Sequence, residues 1–451
     1  MAFKKIEKAV LSVISWVVPA NLTSSVVSVG FKRYFLNTSW NFVGKIVSLF
    51  ISFFVSVSVV RYLGPNDYGL MSYILSFVGL FSFITSLGVD NVLLRELVKH
   101  PEKRNELFGS ALFIRLVGAF IAISLIIFFI QFTNNNFYTN LLIIISSLSF
   151  IFQSFQIIYY HFQAEVLSKK ATLNAVFIGI FLSCVKLLLI FLHLNLIYFL
   201  GVFLLESIIY AVSYIILYKR QGLSVLNWEF NRFVAFALFK DSWPLMLASA
   251  FAFTYSRIDQ VMIKNMMTPA AVGLYDVGVR LSEVWYFIPT IIVSSLFPAI
   301  INAKKTDELI YQRRLAMLYS LIIYVSFLVI LPLYFFANPV IKILYGLQFL
   351  GAVSVLKIYI WAGFAMALGT VINQFLLVEN LTRISLYINC IGMLANILLN
   401  LILIPRIGIN GAALATLISY SLIPFSILLF KKTRSHARSI LFGFLLKKPS
   451  F

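Results

Sequence analysis

A chain of 451 residues that is 61% hydrophobic and only 12% charged carries more apolar surface than one water-soluble core can hide, which excludes a soluble globular protein. Its 36 Lys and Arg against 16 Asp and Glu leave a formal net charge of +20, yet the cations gather in short clusters at the ends of apolar runs. Cations placed that way set membrane topology and argue against nucleic-acid binding.

In chain order, residues 1–38 open with Lys4, Lys5 and Lys8 ahead of an apolar stretch from Ala9 to Val18, superficially a signal peptide. Ile6, Val10, Val13, Ile14 and Val17 recur at helical spacing beside the lysines, so a cytoplasmic, interfacial amphipathic helix is the better reading. Apolar runs of the roughly 20 residues needed to cross a bilayer follow. They lie near 39–60, 69–89, 108–131, 139–160, 172–192 and 196–218, an N-terminal lobe of residues 39–218. A linker at 219–240 leads to runs near 241–263, 274–300, 315–336, 351–378, 384–404 and 411–430, a C-terminal lobe of residues 241–430, and a basic tail closes the chain at 431–451. The expected fold is thus an all-α polytopic membrane protein, twelve transmembrane helices in two six-helix lobes around a central cavity. The odd-numbered loops hold only Arg61, Lys264, Lys342 and Arg406, while the even-numbered loops and tails hold the other loop cations. Both termini are therefore expected in the cytoplasm.

An internal repeat underlies the two lobes. Ser39-Trp40 opens the first span and Ser242-Trp243 the seventh, and each span ends at a tight turn, Gly64-Pro65-Asn66-Asp67-Tyr68-Gly69-Leu70 or Thr268-Pro269-Ala270-Ala271-Val272-Gly273-Leu274. The Trp pair is 203 residues apart and the Pro and Gly pairs 204. Because the repeat covers an even number of spans, the lobes are expected to share one orientation, related by an axis along the membrane normal.

Six cations fall inside spans, namely Lys45, Arg115, Lys186, Arg257, Arg280 and Lys357, together with the acids Glu206, Asp259, Asp276 and Glu283. An intramembrane charge costs roughly 2.5 to 3.5 kcal/mol on insertion scales, so such residues pair, face a polar interior or work. Asp276, Arg280 and Glu283 share a helix face and can neutralise one another. The other five cations have no acid three or four residues away. For Arg115 and Lys186, near span ends, snorkelling is the alternative. Lys45 belongs to a polar stripe of Asn37, Asn41, Lys45, Ser48 and Ser52; Arg257 lies beside Asp259; and Lys357 has Tyr359 and Trp361 nearby, which offer an interfacial anchor instead. The cations together suggest a cationic cavity for a phosphate or other acid, with the four acids as ion-coupling or pairing groups. Asn389, Asn396 and Asn400 recur at helical spacing and read either as sugar ligands or, preferably, as glue between helices. Pro244, Pro289, Pro298, Pro332 and Pro424 interrupt spans and offer hinges.

No GxxxxGK[ST], HExxH or GxSxG motif is present, and neither enzyme activity, cofactor nor metal is expected. Cys184 and Cys390 lie in apolar runs with no ligand spacing, and His100, His161, His193 and His436 are scattered.

The stretch from Asn37-Thr38-Ser39-Trp40-Asn41 through Arg61-Tyr62-Leu63-Gly64-Pro65-Asn66-Asp67-Tyr68-Gly69 resembles the opening of bacterial polysaccharide flippases of the Wzx type. Arg257-Ile258-Asp259-Gln260-Val261-Met262-Ile263 followed by Val272-Gly273-Leu274-Tyr275, and Ile404-Pro405-Arg406-Ile407-Gly408-Ile409-Asn410-Gly411-Ala412-Ala413, are similar to later parts of the same family. That family lies within the multidrug/oligosaccharidyl-lipid/polysaccharide exporter superfamily. The resemblance implies a V of two six-helix bundles in a bacterial cytoplasmic membrane, moving polyprenyl-pyrophosphate-linked oligosaccharide units between leaflets for a surface polysaccharide such as O-antigen. Coupling to H+ or Na+, and working beside membrane lipids, a polysaccharide polymerase and glycosyltransferases, are likewise implications. The rivals are a multidrug or cation antiporter or a lipid II flippase and, from another class, a membrane polymerase or glycosyltransferase. The antiporter would prefer an acidic chamber, the lipid II flippase usually has extra spans, and the enzymes would need a large external loop that this chain lacks.

Overall fold

The computed structural model describes residues 29–304, 307–379 and 381–426, with side chains from 51 onward except at 245, 248, 377, 378, 382, 383 and 426. The expected interfacial helix before residue 29 and the basic tail lie outside the described residues. Every regular element among those described is helical, as a bilayer requires of a chain that does not close a barrel.

The first half comprises α1 (Val29–Gly79), α2 (Ser82–Ser86), α3 (Val89–Lys99), α4 (Arg104–Phe129), α5 (Phe137–Ser147), α6 (Ser149–Gln153), α7 (Ile158–Ala164), α8 (Ser168–Phe191) and α9 (Leu196–Lys219). The second half comprises α10 (Arg232–Met266), α11 (Pro269–Glu283), α12 (Phe287–Lys304), α13 (Glu308–Phe335), α14 (Ala337–Tyr345), α15 (Ala352–Val378), α16 (Thr382–Ile407) and α17 (Ile409–Ser426). Among the described residues, eight helical stretches are long and apolar enough to cross a membrane, or up to ten when two bent pairs each count as one crossing. Those ten correspond to the expected second through eleventh spans. The expected first and last spans lie on α1 and α17, which run into residues whose side chains are not described. The chain is a multi-pass membrane protein.

Two expected spans are broken in instructive ways. The first and second are merged in α1 across Gly64, whose φ of +70° is a left-handed conformation that glycine adopts without steric cost, and Pro65 restarts the helix. The second then bends by 41° into the stretch Ser82–Lys99, while α10 bends by 53° between Pro244 and Ser249, where proline removes a backbone hydrogen bond.

The two turns of the repeat meet. A Cβ on Gly69 would stand 1.8 Å from the Pro269 carbonyl oxygen, and one on Gly273 would stand 2.2 Å from the Pro65 carbonyl oxygen. Each contact is the counterpart of the other under the 204-residue offset, the geometry expected of an axis between the halves. Around this seam, Gln348 Nε2 donates to the Arg61 carbonyl at 2.9 Å and Lys264 Nζ donates to Asn135 Oδ1 at 2.6 Å. The largest buried cluster follows the same seam, joining Tyr68, Tyr73 and Phe77 of α1 to Val272, Tyr275 and Val279 of α11 and to α13 and α15.

At the other end, the linker of 219–240 packs on the first half. Trp228 stacks on Phe108 with ring centroids 5.0 Å apart, the Glu229 amide donates to the Asn105 carbonyl, and Asn231 Nδ2 donates to Glu106. Arg95 of α3 pairs with Asp241 of α10 nearby.

Candidate functional site

Two polar clusters stand side by side where α10 faces α11, because each helix contributes adjacent residues, Asp259 with Gln260 and Tyr275 with Asp276. The first centres on Asp259, which is 2% exposed. Its carboxylate accepts from Asn400 Nδ2 at 2.6 Å, from Thr416 Oγ1 at 2.6 Å and from the Tyr275 hydroxyl. Asn396 and Asn400, one turn apart on α16, are linked at 3.1 Å, and Asn396 Nδ2 also donates to Thr416 Oγ1 at 3.3 Å. No cation pairs with Asp259 among the described residues, and Asn400 Oδ1 is buried without a hydrogen-bond partner. The cluster sets one carboxylate among hydroxyls and side-chain amides, whose oxygens are the ligand type of hard cations, and the carboxylate is equally able to take a proton.

The second cluster sets two guanidinium groups against two carboxylates. Arg280 Nε donates to Asp276 Oδ2 at 2.6 Å, the same oxygen accepts from the Tyr68 hydroxyl of α1, and Gln260 Nε2 lies 3.4 Å from Oδ1. Arg257 reaches Glu283 at 3.2 Å and Asp276 at 3.9 Å, and the Tyr359 hydroxyl donates to Glu283 at 3.2 Å. The pairing of Arg280 with Asp276 is the one the sequence suggests. Two corrections follow for the rest. Arg257 is not an unpaired cation, and Glu283 answers Arg257 on the facing helix, not Arg280. This cluster is balanced, so it gives no surplus of positive charge.

Beside it opens a cavity of about 190 Å³ bounded by α1, α8 and α9 and reached by Arg280 from the second half. Ser52, Ser56, Ser183, Lys186, Glu206 and Arg280 supply its polar lining. Arg280 is anchored to Asp276 through Nε with its side chain 43% exposed, and among the described residues its two Nη groups have no hydrogen-bond partner. Lys186 and Glu206 face the cavity without an ion-pair contact among the described residues.

The remaining candidates lie elsewhere. Arg115 is ion-paired with Asp90 of α3 at 2.7 Å and donates to the Gln153 carbonyl at 3.1 Å, so the expectation that it snorkels or lines a cationic cavity gives way to a structural pair. Lys357 lies over the Tyr334 ring at 5.5 Å, not over the Tyr359 and Trp361 of its own helix. Lys45 is on α1, outside the residues whose side chains are described. Sequence reasoning missed Asp90, Tyr68, Gln260, Tyr275 and Thr416. Of these only Asp90 carried a legible signal, an acid ahead of a run of helical residues with Arg115 on the next span.

A family model described as a polysaccharide biosynthesis protein matches residues 35–304. The chain is 26% identical to the probable low-salt glycan biosynthesis flippase Agl15 of Haloferax volcanii, over 41% of this chain and 39% of that protein. It is 32% identical to the probable flippase AglR of the same organism, over 38% of this chain and 36% of that one. The chain thus spans less than two fifths of the length of these curated relatives. Among solved structures, it resembles the lipid II flippase MurJ in its inward closed conformation with a TM-score of 0.65 and 17% identity, over 92% of this chain and 93% of that one.

Proposed function

The chain belongs to the polysaccharide biosynthesis protein family, and on that premise we propose that it is a flippase that carries polyprenyl-pyrophosphate-linked oligosaccharide units across the cytoplasmic membrane, with both termini inside. The observation that carries this reading is Arg280. One edge of its guanidinium is fixed by a buried carboxylate while its Nη groups are presented at the edge of a cavity that α1, α8 and α9 of the first half enclose. Such a fork suits an acidic phosphate oxygen pair. The isoprenoid tail stays in the bilayer, the pyrophosphate and sugars pass between the halves as they rock, and no bond is made or broken. The likeness to a probable glycan biosynthesis flippase and a probable flippase supports the same reading.

Asp259 is the group to which we assign ion coupling. A carboxylate buried among hydroxyl and amide groups, with no cation paired to it among the described residues, gains most from a bound H+ or Na+, and Tyr275 ties it to the helix that carries Asp276 and Arg280. Asp259→Asn keeps the shape of the site and removes its charge. Reconstituted variant protein is expected to lose the dependence of lipid-linked sugar transport on a proton or sodium gradient while its abundance stays within about twofold of wild type. Retention of a gradient response of wild-type size defeats this assignment. Glu206 favours one rival, a cation exporter. The arm that tests it is transport of a lipophilic cation, which the flippase reading expects to be absent and Arg280 and Lys186 disfavour.

A further inference from the structure

The cavity beside Arg280 is lined by a carboxylate that an anion site has no use for. Glu206 of α9 and Lys186 of α8 both face it, close enough to feel each other's charge though not in ion-pair contact, and Ser52 and Ser56 of α1 add two hydroxyls. Phe199 and Phe203, one turn apart on α9, form an apolar wall on the same helix as Glu206. A pyrophosphate placed here would meet Glu206 as a like charge, which is unfavourable in so enclosed a place. A sugar ring matches the lining better. Its hydroxyls donate to a carboxylate, which only accepts, and accept from an ammonium, which only donates, while its C–H face lies against aromatic carbon. Size agrees, since about 190 Å³ holds about six waters at about 30 Å³ each, the bulk of one monosaccharide.

We propose that this cavity is a monosaccharide subsite, in which Glu206 and Lys186 grip the hydroxyls of one sugar of the transported unit while Arg280 at its edge holds the phosphate side. The inference rests on the flippase reading and deepens it. Glu206 is then a specificity-determining residue. It discriminates a sugar-bearing lipid from the bare carrier, and Arg280 does not.

Two probes separate these roles, a short-chain polyprenyl pyrophosphate and the same lipid carrying one hexose, either glucose or N-acetylglucosamine, with binding to the purified full chain in detergent measured for each. Wild type is expected to bind at least one sugar-bearing probe more tightly than the bare carrier. Glu206→Gln, which is isosteric, should weaken that probe about tenfold, the worth of a hydrogen bond to a charged group, and leave the bare carrier within about twofold, which also shows that the variant is folded. Arg280→Gln should weaken both probes alike. If Glu206→Gln leaves the sugar-bearing probes unaffected, or weakens the bare carrier as much, the subsite is wrong while the flippase reading stands. If wild type binds the bare carrier but gains nothing from the sugar, the subsite is again wrong. Failure of wild type to bind either lipid overturns the flippase reading and the subsite with it.

Discussion

Arg115 and Asp90 stand 2.7 Å apart with side-chain exposures of 10% and 28%. Removing one partner strands the other in low dielectric, which costs about 3–5 kcal/mol for a fully buried pair, and the partial exposure of Asp90 brings this case below that range. Arg115→Met should therefore lower the apparent Tm of the purified protein and its membrane abundance, and adding Asp90→Asn should recover most of the loss. Additive losses in the double variant, measured by thermal unfolding in detergent, would show that the two charges do not stabilise each other. The pair also shows where reading along one helix stops. Counting three and four residues finds Arg280 with Asp276, but Arg257 with Glu283, Arg115 with Asp90, and Asp259 with Asn400 and Thr416 are made between helices. No spacing rule reports which helices face each other. Tyr68 and Tyr275 were illegible for the same reason, being apolar-looking residues whose hydroxyls acquire a meaning only opposite a carboxylate.

At the scale of elements, the paired turns are the feature the sequence displays most openly. Glycine and proline leave a signal because they act through the backbone, and the shared order of Pro and Gly marks the place where α1 and α11 touch. A methyl at either glycine would collide with a carbonyl oxygen, at 1.8 Å for Gly69 and 2.2 Å for Gly273. Backbones cannot yield as flexible side chains do, so overpacking there costs about 1–3 kcal/mol or more. Gly69→Ala and Gly273→Ala should behave alike, each lowering thermal stability and each prising apart the same end of the halves. A cysteine introduced at Gln348, beside the Arg61 carbonyl, should then react faster with a membrane-impermeant maleimide than in the parent. Unchanged labelling and unchanged stability in both variants would show that the close approach is not required. The bend between Pro244 and Ser249 falls where the sequence places a proline hinge, whereas composition alone does not say that an apolar run will bend at Ser82.

For the molecule as a whole, apolar runs of about 20 residues, the length of a helical and not a strand crossing, fix a helical multi-pass protein, since a helix satisfies its own backbone in lipid. How the charges are distributed within it was not legible, and the cluster of Arg257, Arg280, Asp276 and Glu283 pairs two of the cations expected to line a cationic cavity. The transport claim now rests on motion of the two halves around Arg280 and the cavity it edges. It is tested most directly in proteoliposomes that hold a fluorescent polyprenyl-pyrophosphate sugar in both leaflets, by adding a membrane-impermeant reductant that bleaches only the outer leaflet. Wild-type protein is expected to bleach the inner pool as well, at a rate reduced to that of protein-free vesicles by Arg280→Gln. The same loss is expected when cysteines at Asn135 and Lys264, which meet across the seam, are joined by a short bis-maleimide. An inner pool that stays as protected with wild-type protein as without it would contradict the account.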